Sequence, residues 1–381
     1  MAQTINPGLA DELQAYGAED VSKCFNCGNC SAVCVHSEAP RVLPRRSMHA
    51  LQLGLEDKLK GSLEPWLCYY CGECSEQCPK EAEPGETMMS LRRWLTAQYD
   101  FSGIARLFYR SWRIELFAIL LVALVTGIGF TAYGLAQGDI GVYAGAKAFL
   151  PSEKVHLFDW AMASVLVVLL GINSIRMWRF VMGPGGHGGA PAQSYLAALY
   201  TLPLHFFVQP KYRDCERKRP WAVHLALMLS YVTMLVLIMF FLRQMASGPE
   251  IDWRVHVFGY LASVGLIVAV VVNLRGRIRR DLPQHTHSHE SDWMFLILLL
   301  VVALTGVLQH VLHRSGLDVA ANVAYVVHLM AVVPMLVLEV PFGKWAHLAY
   351  RPLAIYFSRV QAHAAEAAAR KECDAAAEVA A

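Results

Sequence analysis

Eight cysteines carry the clearest chemistry in this chain: Cys24, Cys27, Cys30 and Cys34, then Cys68, Cys71, Cys74 and Cys78. Both runs read C-x2-C-x2-C-x3-C, and Pro79 follows the second at once. This is the spacing at which thiolates wrap cubane [4Fe-4S] clusters. Spacings of two set three sulfurs around one side of a compact inorganic core. The fourth cysteine of each run points away, and in two-cluster proteins it serves the other cluster. By that rule Cys24, Cys27, Cys30 and Cys78 hold one cluster, and Cys68, Cys71, Cys74 and Cys34 hold the second. Zinc favours separated ligand pairs and leaves runs of this regularity unexplained. Disulfides need an oxidising compartment, and no cleavable leader precedes the cysteines. Val35, not proline, follows the first run, which removes no ligand. Cys215 and Cys373 stand apart and read as unligated thiols.

The elements around these loops read as helical. Between the runs, RSMHALQLGLEDKL (46–59) repeats its apolar residues every three to four positions, and little alternates at period two. After residue 105 the composition changes. The chain as a whole is 55% hydrophobic and 17% charged, against about 25% charged in soluble domains. A net charge of +2 gives no basic excess and no reason to expect nucleic acid. Six segments are long and apolar enough to span a bilayer: 112–135, 155–178, 220–242, 255–274, 292–312 and 319–342. With the N-terminus cytoplasmic, nineteen Lys and Arg fall on the inner side and five on the outer. That bias places both termini, and the cysteines, in the cytoplasm of a cell whose inner membrane holds the helices. The inner loop at 181–219 opens with GPGGHGG (183–189). A dinucleotide fingerprint would need a preceding strand, so this reads as a flexible linker. It leads into SYLAALYTLPLHFF, an amphipathic stretch suited to the membrane face.

Ionisable residues at membrane depth are costly and usually functional, and neutral imidazole is the common protein ligand of haem b. His224 enters the third span and His347 follows the sixth, both at the cytoplasmic end, where they can clamp one haem. His328 lies toward the outer half of the sixth span. His256 is the first choice as its partner, with His310 and His156 as other candidates. His285, His287 and His289 read as a solvated loop. Glu115, Asp159 and Glu339 are candidates for proton handling. The expected fold is therefore all-α: a helical, ferredoxin-like domain with two cubane clusters (1–105), then a six-helix transmembrane cytochrome b bundle. Within it, 106–180 holds the first two spans, 181–219 the inner loop, 220–360 a four-helix cytochrome b domain and 361–381 a flexible tail.

The stretch HLMAVVPMLVLEVPFGKWAHLAYRP (328–352) resembles the last helix of the haem b subunit of respiratory nitrate reductase, which carries two histidines at nearly this separation. His224 matches that family's proximal haem ligand, but Met234 stands where the family has a second histidine. The first hundred residues resemble the small iron–sulfur subunit of heterodisulfide reductase. The fusion of the two resembles the C subunit of the quinone-interacting membrane-bound oxidoreductase complex. That resemblance implies one or two haem b, a quinone substrate and two flavoprotein/iron–sulfur partner subunits. It also implies electron exchange with adenylylsulfate reductase in sulfate respiration. The residues allow quinol oxidation or the reverse, and relatives linked to heterodisulfide or sulfite reductase stand close. A membrane anchor with structural histidines is the rival of another class. No nucleophile, phosphate loop or catalytic acid–base pair is evident.

Overall fold

A computed structural model describes residues 5–39, 41–143, 148–183, 190–246 and 252–380. Apart from Gly183, the expected glycine-rich linker lies outside the described residues. The fold is all-α, as expected; no strand forms among the described residues, and Glu38 and Arg41 make only an isolated bridge. In chain order the helices are α1 Leu9–Gln14, α2 Asn29–Ala32, α3 Arg45–Gln52, α4 Glu56–Lys60, α5 Glu64–Leu67, α6 Glu73–Glu76, α7 Pro84–Tyr99 and α8 Ile104–Arg110. There follow α9 Trp112–Gln137, α10 Ser152–Met182, α11 Ala192–Ala198, α12 Thr201–Phe207, α13 Pro210–Asp214, α14 Lys218–Ala246 and α15 Trp253–Arg279. The last are α16 Pro283–Thr286, α17 Glu290–Arg314, α18 Asp318–Pro334, α19 Val340–Phe342 and α20 His347–Ala380. Two compact units emerge: Met1–Arg106 with Gly171–Lys218 and Ala346–Ala381, and Leu107–Leu170 with Arg219–Trp345.

The first unit is built around Leu9, Leu13, Met48, Leu51, Trp66, Trp94 and Tyr99, all buried. Burying one such side chain contributes about 1.5–3 kcal/mol. At its centre runs α7, buried on nearly every face. Two of the charges it carries are paired: Arg93 donates to Glu86 Oε1 at 2.9 Å and to the Tyr16 carbonyl at 2.6 Å. The helix expected over 46–59 is broken into α3 and α4. Gly54 sits at φ +66°, where a Cβ would come within 2.2 Å of the Asn6 carbonyl oxygen. A tertiary contact thus overrides the apolar period. The stretch beyond 360, expected as a flexible tail, continues α20 to Ala380. Its run of alanines favours helix without help from packing.

The six expected spans are all present as long apolar helices, with mean hydropathy from 2.0 to 2.6. In the second unit α18 packs against α9 and α17, and α15 against α17. Phe149, Leu150, Val155, Val326 and Leu329 form a core there. Outward-facing Phe117, Val167, Phe240 and Leu261 stay more than half exposed, which lipid tolerates and water does not. The sixth span is not regular. Pro334 closes α18, and Met335–Glu339 continues as a π-turn. Proline withholds a donor and crowds the carbonyl four residues back, which favours such a widening.

Candidate iron–sulfur and haem sites

The two cysteine loops share one backbone conformation. Asn26 and Tyr70, each just before the second cysteine, have φ of +61° and +53°. Gly28 and Gly72, each just after it, have φ of +89° and +88° and cap α2 and α6. Left-handed backbone suits glycine and is tolerated by asparagine, but it strains tyrosine. Tyr70 is held there by its hydroxyl, which donates to Glu86 Oε2 at 2.7 Å. Glu86 thereby ties α7 to the second loop. The first loop is fixed by Gln52, which donates to the Cys24 carbonyl at 2.7 Å, and by Arg45, which donates to the Asn26 carbonyl at 3.2 Å.

Cys24, Cys27, Cys30 and Cys78 line one cavity with Met48, Pro79 and Ala82. Cys34 lies instead among Cys68, Cys71 and Cys74. Cys30 has Cys24, Cys27 and Cys78 as neighbours, and Cys74 has Cys68, Cys71, Cys34 and also Cys30. Among the described residues no three His, Cys, Asp or Glu side chains close up tightly enough for a single metal ion. Backbone N–H groups of Tyr70 and Ala82 lie 3.4 Å from the Cys68 and Cys78 sulfurs, contacts of the kind that tune cluster potential. Burial pushes Cys34 up to about 11 and raises Cys30, Cys68 and Cys74 as well. Iron must therefore displace protons from these thiols. Cys71 runs the other way, down to about 7, because Cys215 donates a hydrogen bond to it.

The second set has a shell that the sequence did not announce. Arg92 donates to the carbonyls of Pro65, at 2.6 Å, and Cys68. Arg351 donates to the same Cys68 carbonyl at 2.7 Å, and its guanidinium lies 3.7 Å from the Tyr69 ring centre. Tyr69 stacks on Tyr212 at 5.0 Å, and Cys215 approaches His36 Nε2 at 3.6 Å. Burial and the charge of Arg351 bring Arg92 down to about 9. No spacing marks these residues. Arg351 lies 283 positions from Cys68, and only tertiary packing brings it there.

Among the histidines, His224 lies half-buried in α14 and His347 opens α20, one in each unit. His328 Nδ1 is 3.0 Å from the Thr305 hydroxyl, and His256 Nδ1 is 3.0 Å from the Asp252 carbonyl. Each is thus held through Nδ1, the way a histidine is fixed when its other nitrogen serves a metal. The structure brings His256 to His310, with ring centres 5.6 Å apart, and not to His328. His310 Nε2 meets the Tyr260 hydroxyl at 2.9 Å, and His156 Nε2 meets the Met239 carbonyl at 2.6 Å, so both nitrogens are engaged. His285 is no solvated loop residue: it is buried against Gly276 and bonded to Asp281 at 2.7 Å. Glu115 and Glu339 meet in the second unit, side chain to side chain, both buried. Asp159 lies on α10.

Residues 20–82 match the 4Fe-4S dicluster domain family. A protein of Archaeoglobus profundus named for its likeness to the C subunit of heterodisulfide reductase is 32% identical over 26% of this chain and 52% of its own. The iron–sulfur C subunit of the CoB–CoM heterodisulfide reductase of Methanopyrus kandleri is 33% identical over 20% of this chain and 45% of its own. The chain thus spans about half the length of these relatives. Citrate utilization protein B of Escherichia coli is 25% identical over 75% of this chain and 78% of its own. No solved structure matches. The N-terminal part of this chain is a domain for two [4Fe-4S] clusters, like that of the heterodisulfide reductase C subunits, joined to a region of six membrane-length helices.

Proposed function

We propose that this chain is the membrane electron-transfer subunit of a quinone-linked oxidoreductase. The observation that carries the proposal is the fusion of a dicluster domain to six apolar helices whose second unit holds ligand-ready histidines and a buried carboxylate pair. The eight cysteines would hold two cubanes, while His224 with His347 would hold one haem b and His328 is the candidate ligand of a second. When bound, these groups each exchange one electron at a time, so together they let a chain accept the two electrons of a quinol singly. The residues of the chain supply spacing, ligands and local polarity. Glu115 and Glu339, side by side and sealed from water, are the candidate acceptors for protons released on quinol oxidation. The cytoplasmic partners would be two flavoprotein/iron–sulfur subunits, with adenylylsulfate reductase as the downstream acceptor and the bacterial inner membrane as the site.

A second reading is favoured by the relative that covers most of both chains. Its name points to citrate use, and on that reading the same membrane wire runs toward quinone reduction by a different cytoplasmic donor. Composition analysis of the purified complex tests the shared core. Roughly eight cluster irons per chain, with equal labile sulfide and at least one haem b, are expected. Iron and sulfide without any haem would reduce the chain to a cluster-bearing membrane anchor.

A further inference from the structure

Two half-buried guanidiniums converge on one carbonyl oxygen, that of Cys68, and neither has a carboxylate partner among the described residues. Arg92 spends its hydrogen bonds on the Pro65 and Cys68 carbonyls. Arg351 uses Nη2 on Cys68 and leaves its buried Nε with no hydrogen-bond partner. Elsewhere in the unit the buried Arg93 is neutralised directly by Glu86. Two like charges on a single neutral acceptor repel each other and forfeit hydration. Such an arrangement needs an anion close by. Cys68 is itself assigned to the second cluster, whose four thiolates give it a net negative charge that grows by one on reduction. The first set differs: the cations beside its cavity, Arg45 and Lys80, are exposed and screened by solvent.

We propose that Arg92 and Arg351 are the counter-charge of the second cluster and hold its potential up. They act as positioning residues through electrostatics, since neither is a ligand. A fixed positive charge favours the reduced, more negative cluster, so neutralising either one lowers the potential of that cluster alone. Arg92 on α7 and Arg351 on α20 also lock the second loop between two helices through the Cys68 carbonyl. The inference rests on the crosswise ligand assignment, not on the haem or the quinone.

The test is an EPR-monitored redox titration of the full-length chain in its complex, comparing Arg92→Gln, Arg351→Gln, Arg92→Lys, Arg351→Lys and Lys80→Gln. In each glutamine variant one of the two cluster transitions is expected to fall by a tenfold change in the reduced-to-oxidised ratio, about 59 mV for one electron. The other transition stays in place, the lysine variants recover most of the fall, and Lys80→Gln moves neither. Loss of one cluster in a glutamine variant with full retention in its lysine counterpart also supports the counter-charge role. Unmoved potentials, equal movement of both transitions, or equal damage by lysine and glutamine would overturn it. Potentials set by a chemical mediator need no quinol, so failure of the quinol reading leaves this outcome separately legible.

Discussion

In the proposed crosswise pairing each cluster set takes three cysteines from one run and one from the other, so single substitutions test it. Cys78→Ser is expected to damage the cluster of Cys24, Cys27 and Cys30, and Cys34→Ser the cluster of Cys68, Cys71 and Cys74. Each variant should lose roughly half of the cluster iron and one of two EPR signals. Loss of the reciprocal signal, or of neither, would break the crosswise pairing. His205 makes a pH prediction in the first unit. Burial lowers it to about 4, and its Nδ1 is buried without a hydrogen-bond partner. The unfolded chain, titrating near 6.5, takes up the proton first. His205 therefore costs nothing above that pH, and stability falls as pH drops from about 6.5 toward 4. The loss should reach about 1–2 kcal/mol after allowance for partial screening, and His205→Gln should flatten that part of the pH–Tm curve. The carboxylate pair gives a third outcome. Glu339→Gln should slow quinol-driven reduction about a hundredfold while leaving the cluster potentials unchanged. At this scale the candidate cysteine ligands were legible because covalent spacing writes them into the chain. Arg92, Arg351 and Cys215 were not, because distant segments meet only after folding.

Elements decide how rigid the loops are. Through Glu86, α7 holds Arg93 on one oxygen and Tyr70 on the other. Breaking this buried network with Glu86→Ala should destabilise the first unit by about 3–5 kcal/mol, read as a lower midpoint in chemical denaturation. It should also loosen the second loop, seen as faster loss of one cluster to a chelator. An unchanged midpoint would show that the pair contributes nothing net. The apolar period over 46–59 correctly announced helix but not the break, because Gly54 faces Asn6, far away along the chain. The six spans were legible from hydropathy alone, since a bilayer demands about 20 apolar residues in a row. Pro334 was visible in the sixth, yet the π-turn after it depends on how the helix repairs its hydrogen bonds. That turn delivers Glu339 to Glu115, a meeting no single helix period could foretell.

For the whole molecule, the two units divide the labour. One carries the thiols and their shell, and the other carries most of the apolar helices, the ligand-ready histidines and the carboxylate pair. The lysine and arginine bias predicts that the cysteine-bearing unit faces the cytoplasm. A C-terminal reporter active only outside the inner membrane should therefore stay silent. The central claim is that quinol electrons reach the dicluster domain through this one chain. Anaerobic addition of a menaquinol analogue to the purified complex, with haem absorbance and cluster EPR followed together, tests it most directly. The account predicts that haem b and both clusters become reduced, and that His224→Ala or His347→Ala abolishes cluster reduction by quinol while dithionite still reduces the clusters. Clusters that stay oxidised under quinol in the unaltered complex would contradict it.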